Sequence, residues 1–135
     1  MATLKLEIVT PEAKIYSEDV EMVTLPGVEG EMGIYPMHVP LMTQIAAGEV
    51  SVIKGGAQHY LAVGEGFVQI TGDRVAIMTD MAIKSDDIDE AKAEEARKRA
   101  EARLQEKLTD EETASVTAAL AHSLAQLHVK RRQRR

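Results

Sequence analysis

A change of composition at Ser85 divides the chain into two parts that cannot share one kind of secondary structure. Before Ser85, short apolar runs are interrupted every few residues by Gly or Pro, which favour turns over continuous helices. From Asp86 to Leu108 there is no Gly and no Pro, and Ala, Glu, Lys and Arg dominate, a composition typical of helix. The sequence therefore predicts a β domain over residues 1–84 and an α-helical domain over residues 85–135.

The first part has the pattern of many short strands. Leu4, Leu6 and Ile8 alternate with less apolar neighbours, which predicts a strand with one buried face. Further strands are predicted at residues 14–17, 20–25, 41–45, 49–53, 58–63, 67–70 and 74–79. We expect the segments 14–17 and 20–25 to pair as a hairpin. Turn signals such as Gly55-Gly56 separate the runs, and this spacing predicts an antiparallel β-sandwich or flattened barrel.

The second part has the pattern of a two-helix hairpin. Asp87 followed by Glu90, and Thr109 followed by Glu112, resemble capping boxes, in which two side chains satisfy backbone amides at the start of a helix. They predict two antiparallel helices within residues 87–128.

Small residues dominate the predicted contact face of the first helix. The two apolar stripes are Ala93, Ala96, Ala100, Leu104 and Leu108, then Val116, Leu120, Leu124 and Leu127. An alanine side chain buries little apolar area, so the helical hairpin is expected to be held weakly and to be able to leave the sandwich. The alternative is a static appendage that always packs on the sheet.

The segment from Leu25 to Leu41 holds three of the four prolines and three of the nine glycines, yet it also carries apolar residues to bury. This predicts a shaped loop with one or two short strands, held against the core. A scaffold of this kind often presents side chains to partners, here Glu29, Glu31 and His38. The alternative is a turn that only seals the core.

The same segment carries a family resemblance. Leu25-Pro26-Gly27, Glu29-Gly30-Glu31, Gly33-Ile34, Pro36, His38, Pro40 and Leu41 are similar to the signature of the epsilon subunit of F-type ATP synthase, called delta in mitochondria. The resemblance implies a non-catalytic rotor-stalk subunit that couples proton flow to ATP synthesis and inhibits ATP hydrolysis through a mobile helical hairpin. It also implies a peripheral place on the cytoplasmic face of a bacterial inner membrane.

The resemblance implies particular partners as well. Contacts with the gamma subunit and with the membrane rotor ring of c subunits would come from Glu29, Glu31, Met32, Tyr35 and His38. The alpha and beta subunits would be reached when the hairpin extends. The basic residues Lys130, Arg131, Arg132, Arg134 and Arg135 would suit an acidic helical segment of the family's beta subunits. Alternatively, these cations only complement the negative end of the second helix dipole.

Some members of the family bind regulatory ATP at the hairpin through a motif like Ile/Leu-Asp-x-x-Arg-Ala. The corresponding residues here, with one further basic candidate, are Ile88, Asp89, Lys92, Ala93 and Arg99. Lys92 replaces the arginine and lacks its planar fork of donors. Further basic residues are expected on the second helix, where this chain has His122 and Gln126. These departures predict weak or absent ATP binding, and no other cofactor and no metal is expected.

The chain lacks the motifs of a catalyst. It has no Cys, its four histidines have no metal-binding spacing, and it has neither a phosphate-binding loop nor a dinucleotide fingerprint. No nucleophile, base and orienting group come together in one motif. We therefore expect a binding or regulatory part rather than an enzyme.

The charge distribution limits the other possible functions. The net charge is −6, with 5 Lys and Arg against 11 Asp and Glu in residues 1–84, which disfavours nucleic-acid binding by the β domain. No apolar run approaches the roughly 18 residues needed to span a bilayer, so membrane association is expected only through a partner. Two alternatives remain: a ligand-binding sandwich with Tyr35, His38 and His59 lining a pocket, and a nucleic-acid binder that uses the terminal basic run.

Overall fold

The computed structural model describes residues 2–133, in which ten strands precede two helices. The strands are β1 Leu4–Val9, β2 Lys14–Val20, β3 Met22–Gly27, β4 Gly30–Ile34, β5 His38–Ile45, β6 Gly48–Lys54, β7 Ala57–Val63, β8 Gly66–Gly72, β9 Arg74–Thr79 and β10 Ala82–Lys84. A single 3-10 turn at Ser85–Asp87 leads to helices α1, Glu90–Leu104, and α2, Asp110–Gln133. The predicted fold class, a β-sandwich followed by a helical hairpin, is confirmed.

The strands form one sheet that curls over its own core. Its order is β10-β7-β6-β3-β5-β8-β9-β1-β2, with β4 beside β3, and all pairs are antiparallel except β1 with β9. The end strand β2 returns towards β6, to which it is linked by an ion pair between Glu18 and Lys54. The enclosed core is aliphatic apart from Tyr16, as the low aromatic content requires.

The predicted hairpin between residues 14–17 and 20–25 is wrong. Strand β2 pairs with β1, where Val20 lies opposite Leu4, whereas β3 pairs with β4 and β6. The chain changes layer at Glu21, whose backbone amide donates to the carbonyl of Ile53 at 2.7 Å. Val20 and Val23 are both buried on either side of this crossing, so the two-residue alternation is interrupted there.

The structure confirms the predicted start of α2 but not the predicted start of α1. Helix α1 is capped by Asp89, whose carboxylate accepts from the amide of Lys92 at 3.1 Å, so the predicted cap at Asp87 is wrong. At the second start the capping box is present: Thr109 Oγ1 accepts from the Glu112 amide at 3.1 Å, and Glu112 accepts from the Thr109 amide at 3.2 Å. The hydrogen bonds from Thr109 lower the pKa of Glu112.

The helices pack on each other through small residues, as predicted, but of the predicted stripe of α2 only Leu127 is fully buried. Ala93 and Ala100 of α1 are buried, while Leu124 of α2 is 48% exposed. The buried residues of α2 are Ser123, Ala125, Leu127 and Val129. Because α2 lies against both α1 and strands β6 and β7, its buried surface is wider than one stripe. No helix among the described residues has the length and apolar character needed to cross a membrane.

Candidate partner-binding surfaces

The Pro/Gly-rich segment folds as the β3–β4 hairpin, a turn at residues 35–37 and the start of β5. Leu25 and Ile34 are fully buried and anchor the hairpin to the core. Pro26 lies opposite Glu31 in this pairing. The segment is therefore both a core-sealing element and a platform for exposed side chains.

The structure separates the five predicted contact residues into two groups. Glu29 and Glu31 are exposed at the β3–β4 turn, and Met32 is half-buried against the core. Tyr35 and His38 lie beyond the other end of β4, about 13 Å along an extended strand of five residues. Whether partners contact these residues together or as two groups stays a prediction.

Three apolar side chains project at the far end of β4 and form what we call the loop surface: Tyr35, Met37 and Val39. Tyr35 is 61% exposed and Met37 is 85% exposed. Met37 has a φ of 67°, the left-handed region that a side chain with a β-carbon rarely adopts. His38 Nδ1 donates to the Val39 carbonyl at 2.6 Å and so links the turn to β5.

A second exposed apolar patch lies on the outer face of the sheet, and sequence reasoning missed it. We call it the sheet surface; its members are Val9, Met42, Phe67 and Met78. Phe67 is 49% exposed and lies opposite Met78 on β9, which in turn lies opposite Val9 on β1. The signal was present in the sequence, because Phe67 and Met78 are large apolar residues out of phase with the buried Val68 and Ile77. Contiguous exposed apolar patches of this kind mark interaction sites.

Helix α2 docks on the sandwich through a small apolar contact. That contact is made by Ala62, Ile88, Ala125 and Val129, with Tyr60, Met81 and Ile83 packed around it. The members include no leucine, and half of the fully buried ones are alanines. The apolar area holding the hairpin to the sandwich is therefore limited.

Polar contacts surround this apolar cluster. His122 Nε2 lies 3.1 Å from Asp80 Oδ1. Arg132 Nε donates to Glu49 Oε2 at 2.8 Å. Lys130 Nζ donates to the Ser85 carbonyl at 3.1 Å. These contacts tie several turns of α2 to the sandwich and to the segment before α1.

The basic cluster is occupied by intramolecular partners in this docked arrangement. Arg131 Nη2 donates to Glu94 on α1 at 3.1 Å. The guanidinium of Arg132 lies 5.5 Å from the ring centroid of Tyr60, in addition to its bond to Glu49. The predicted contact residues Arg134 and Arg135 lie outside the described residues.

The residues predicted for ATP serve structural roles here. Ile88 is buried against the sandwich and Ala93 is buried in α1. Asp89 caps α1, while the side chains of Lys92 and Arg99 are exposed. Capping and packing thus account for most of the motif.

The pocket expected from Tyr35, His38 and His59 does not form. His59 lines a cavity of about 230 Å³ together with Tyr16 and Tyr60, and the lining includes neither Tyr35 nor His38. Within residues 2–133 no three His, Asp or Glu side chains are grouped so that they could hold a metal ion.

The described residues thus combine a sandwich with its own apolar core, two exposed apolar surfaces and a docked helical hairpin, which are features of a binding module. Two family models match the chain in tandem: the beta-sandwich domain of the ATP synthase Delta/Epsilon chain over residues 3–85, and the long alpha-helix domain of the same chain over residues 86–131. The chain belongs to the delta/epsilon family of ATP synthase subunits. Such a chain is a non-catalytic subunit of that complex.

Individual relatives agree along nearly the whole length. An ATP synthase epsilon chain of Dehalococcoides mccartyi is 43% identical over 136 residues, covering 100% of this chain and 97% of the relative. The ATP synthase epsilon chain of Laribacter hongkongensis is 41% identical, covering 94% and 92%.

Solved structures agree with the fold. A chain of the Euglena gracilis mitochondrial ATP synthase, in an OSCP/F1/c-ring assembly, has a TM-score of 0.77 and 26% identity, over 95% of this chain and 81% of that one. A chain of the Tetrahymena thermophila mitochondrial ATP synthase central stalk and c-ring has a TM-score of 0.65 at 10% identity, covering 94% and 96%, and supports the fold alone.

Proposed function

We propose that this subunit couples rotation of the membrane ring to ATP synthesis and restrains ATP hydrolysis by releasing its helical hairpin from the sandwich. The observation that carries the regulatory part is the docking contact of α2, which is small, alanine-rich and surrounded by polar groups. A contact of this size allows a released state within a few kcal/mol of the docked one. The alpha and beta subunits are the partners of the released hairpin in this proposal.

The test of the regulatory role is deletion of residues 87–135. We expect ATP hydrolysis by a complex containing residues 1–86 to rise above that of the complex with the full chain. A matched control fixes the hairpin to the sandwich instead of deleting it, and it should raise hydrolysis in the same direction. Equal hydrolysis rates in all three complexes would contradict the inhibitory role and leave the coupling role in place.

The gamma subunit is the partner that we assign to the sheet surface. Phe67 and Met78 lie side by side on adjacent strands and offer a flat apolar area to a long partner. Large apolar side chains at the centre of an interface carry most of its binding free energy. Phe67→Asp should weaken binding to gamma at least tenfold in a titration, whereas Gln58→Asp, an exposed change on β7, should leave it unchanged.

The ring of c subunits is the partner that we assign to the loop surface. Tyr35 and Met37 project from a short turn whose flanking strands are anchored in the core. The double variant Tyr35→Ala and Met37→Ala should reduce retention on immobilised ring while leaving binding to gamma intact. Loss of both interactions together would contradict the separation of the two surfaces.

The location follows from these partners. Membrane association is proposed to depend on the complex, at the cytoplasmic face of the inner membrane. The purified chain should not pellet with lipid vesicles, and it should pellet with vesicles that contain the assembled complex. Pelleting with protein-free vesicles would contradict this.

Regulatory ATP is proposed to bind weakly at most. Lys92 stands where a planar guanidinium would be needed, and His122 already faces Asp80. In calorimetry with the full chain we expect no saturable ATP binding at millimolar concentration, and Lys92→Arg should increase any weak binding. Tight binding to the unmodified chain would overturn this part of the proposal.

A further inference from the structure

Besides the apolar cluster and the hydrogen bond from Lys130 to Ser85, polar side-chain contacts hold α2 on the sandwich at two points. One is between Asp80, in the β9–β10 connection, and His122. The other is between Glu49, on β6, and the pair His128 and Arg132, which lie six and ten residues after His122 along α2. The apolar residues Ala125 and Val129 lie between these points. Their side chains are small, so they contribute little to fixing where along the sandwich α2 lies.

The first point depends on a glycine. A β-carbon at Gly64 would overlap with the carboxylate of Asp80 and would lie 2.7 Å from His122 Nε2. Gly64 is not among the glycines with positive φ, so space rather than backbone conformation requires the missing side chain here. The backbone amide of Gly64 donates to the Met81 carbonyl at 2.8 Å and holds the connection in place.

The second point has a partly desolvated carboxylate. The Glu49 side chain is only 14% exposed, and it accepts from Arg132 Nε at 2.8 Å while His128 Nε2 lies 3.7 Å away. Arg132 also stacks over Tyr60 of the sandwich. If α2 leaves the sandwich, Glu49 loses its ion pair with Arg132. Arg132 in turn loses both the Glu49 carboxylate and the Tyr60 ring, so several contacts break together at this end of α2.

We propose that Asp80 and Glu49 form a two-point electrostatic latch that holds α2 on the sandwich and sets the fraction of molecules whose hairpin is released. The latch rests on the proposed function, since it specifies the contact that regulates the hairpin. An ion pair such as Glu49–Arg132 shifts a docking equilibrium by about two- to fivefold, and a side-chain hydrogen bond such as that between Asp80 and His122 contributes about as much. Two such contacts on a small apolar interface are therefore enough to change the released fraction substantially while leaving the sandwich folded.

The experiment measures docking directly in the full chain. The chain has no native Cys, so spin labels at Ala47→Cys and Leu124→Cys report one distance without further changes. Both positions line the same cleft of about 400 Å³ between the β5–β6 turn and α2, and neither belongs to the latch. Distance distributions then give the docked and released fractions.

Removing either latch contact should raise the fraction of molecules in which α2 is released from the sandwich. Glu49→Gln and Asp80→Ala should each raise the ratio of released to docked molecules about two- to fivefold. Asp73→Asn, an exposed carboxylate in the β8–β9 turn, should not change it. Gly64→Ala should raise the ratio without altering any charge. Glu49→Arg combined with Arg132→Glu should restore docking that either single reversal removes.

Salt provides a second readout. Raising the ionic strength screens charged contacts but not apolar burial, so salt should release α2 in the unmodified chain and have little effect when Glu49→Gln and Asp80→Ala are combined. Unchanged distances in the three variants Glu49→Gln, Asp80→Ala and Gly64→Ala would overturn the latch. Release in these variants without any change in ATP hydrolysis by the complex would support the latch and contradict the inhibitory function, so the two failures are distinguishable.

Discussion

At the scale of single residues, one carboxylate on the outer face of the sheet is held by two cations. Glu7 points outward on β1, yet it is buried beneath Lys14 and Arg74. The hydrogen bond from Lys14 and the positive charges of Arg74 and Lys14 outweigh burial and lower the pKa of Glu7. A carboxylate with a lowered pKa in the folded state stabilises the fold above its unfolded pKa, and this stabilisation disappears as the pH falls through the folded pKa.

Glu7→Gln should therefore lower the free energy of unfolding at pH 7 and have progressively less effect on acidification. The difference between the two proteins should be full above the unfolded pKa of about 4.3 and shrink as the pH falls below it, through the lower folded pKa of Glu7. Urea titrations at a series of pH values measure this. Glu12→Gln, in the exposed β1–β2 turn, is the control, and a difference for Glu7→Gln that is independent of pH would contradict the pairing.

Met37 shows a conflict between local conformation and residue type. Its left-handed backbone costs a non-glycine residue about 1 kcal/mol, and its side chain buries almost nothing in return within the chain. Strain at such positions is common at functional sites. Met37→Gly should leave the free energy of unfolding unchanged or raise it by up to about 1 kcal/mol, while weakening retention on the ring. Urea titration and the ring-binding assay together test this; a less stable protein with normal binding would contradict a contact role.

At the scale of elements, the helical hairpin was largely predictable because its signals are local. The capping box of Thr109 and Glu112 lies within one turn of chain, and the structure reproduces it. The start of α1 was not predictable in the same way, because three aspartates lie within four positions. Burial of Ile88 against the sandwich decides among them: the helix begins after Ile88, with Asp89 as its cap.

Thr109→Ala should destabilise α2 by about 1 kcal/mol, since it removes one cap acceptor from the helix start. The effect should be seen as faster hydrogen exchange of the amides in the first turn of α2, with the β-strands unaffected. Thr113→Ala, inside the same helix and exposed, is the matched control. Equal effects of the two changes would mean that loss of a hydroxyl, rather than loss of the cap, is being measured.

The exposed position of Leu124 has a similar explanation. A stripe read from sequence assumes one partner for one helix face, whereas α2 has α1 on one side and the sheet on another. The buried residues of α2 therefore include Ala125, which packs against the sandwich, and the polar Ser123, neither of which belongs to the predicted stripe.

At the scale of the whole molecule, strands and the hairpin across Gly55-Gly56 were predictable, but partners far apart in the sequence were not. Alternation identifies a strand from its own residues, while pairing depends on segments far away, such as β1 with β9 and β3 with β6. For the same reason the predicted contact residues proved to lie at two ends of β4. The sheet surface was not predicted because an exposed Phe67 indicates an interaction patch only when the fold places Met78 beside it.

The larger of the two apolar clusters lies entirely within the sandwich, between Leu4 and Ile77. Residues 1–86 should therefore fold without the hairpin and unfold cooperatively in urea, with a midpoint close to that of the β domain in the full chain. Removal of α2 uncovers Tyr60, Ala62 and Ile83, so a modest loss of stability is expected. Loss of cooperative unfolding would show that the hairpin is part of the structural core.

The parallel pairing of β1 with β9 has a consequence for biosynthesis. Strand β1 is translated well before its inner neighbour β9, at residues 74–79, which is almost the last strand of the sandwich. The sandwich cannot close until that strand has emerged, and contacts of such sequence separation slow folding. The nascent β domain therefore stays open during most of its translation, and the helical hairpin is made only after the body on which it docks can be complete.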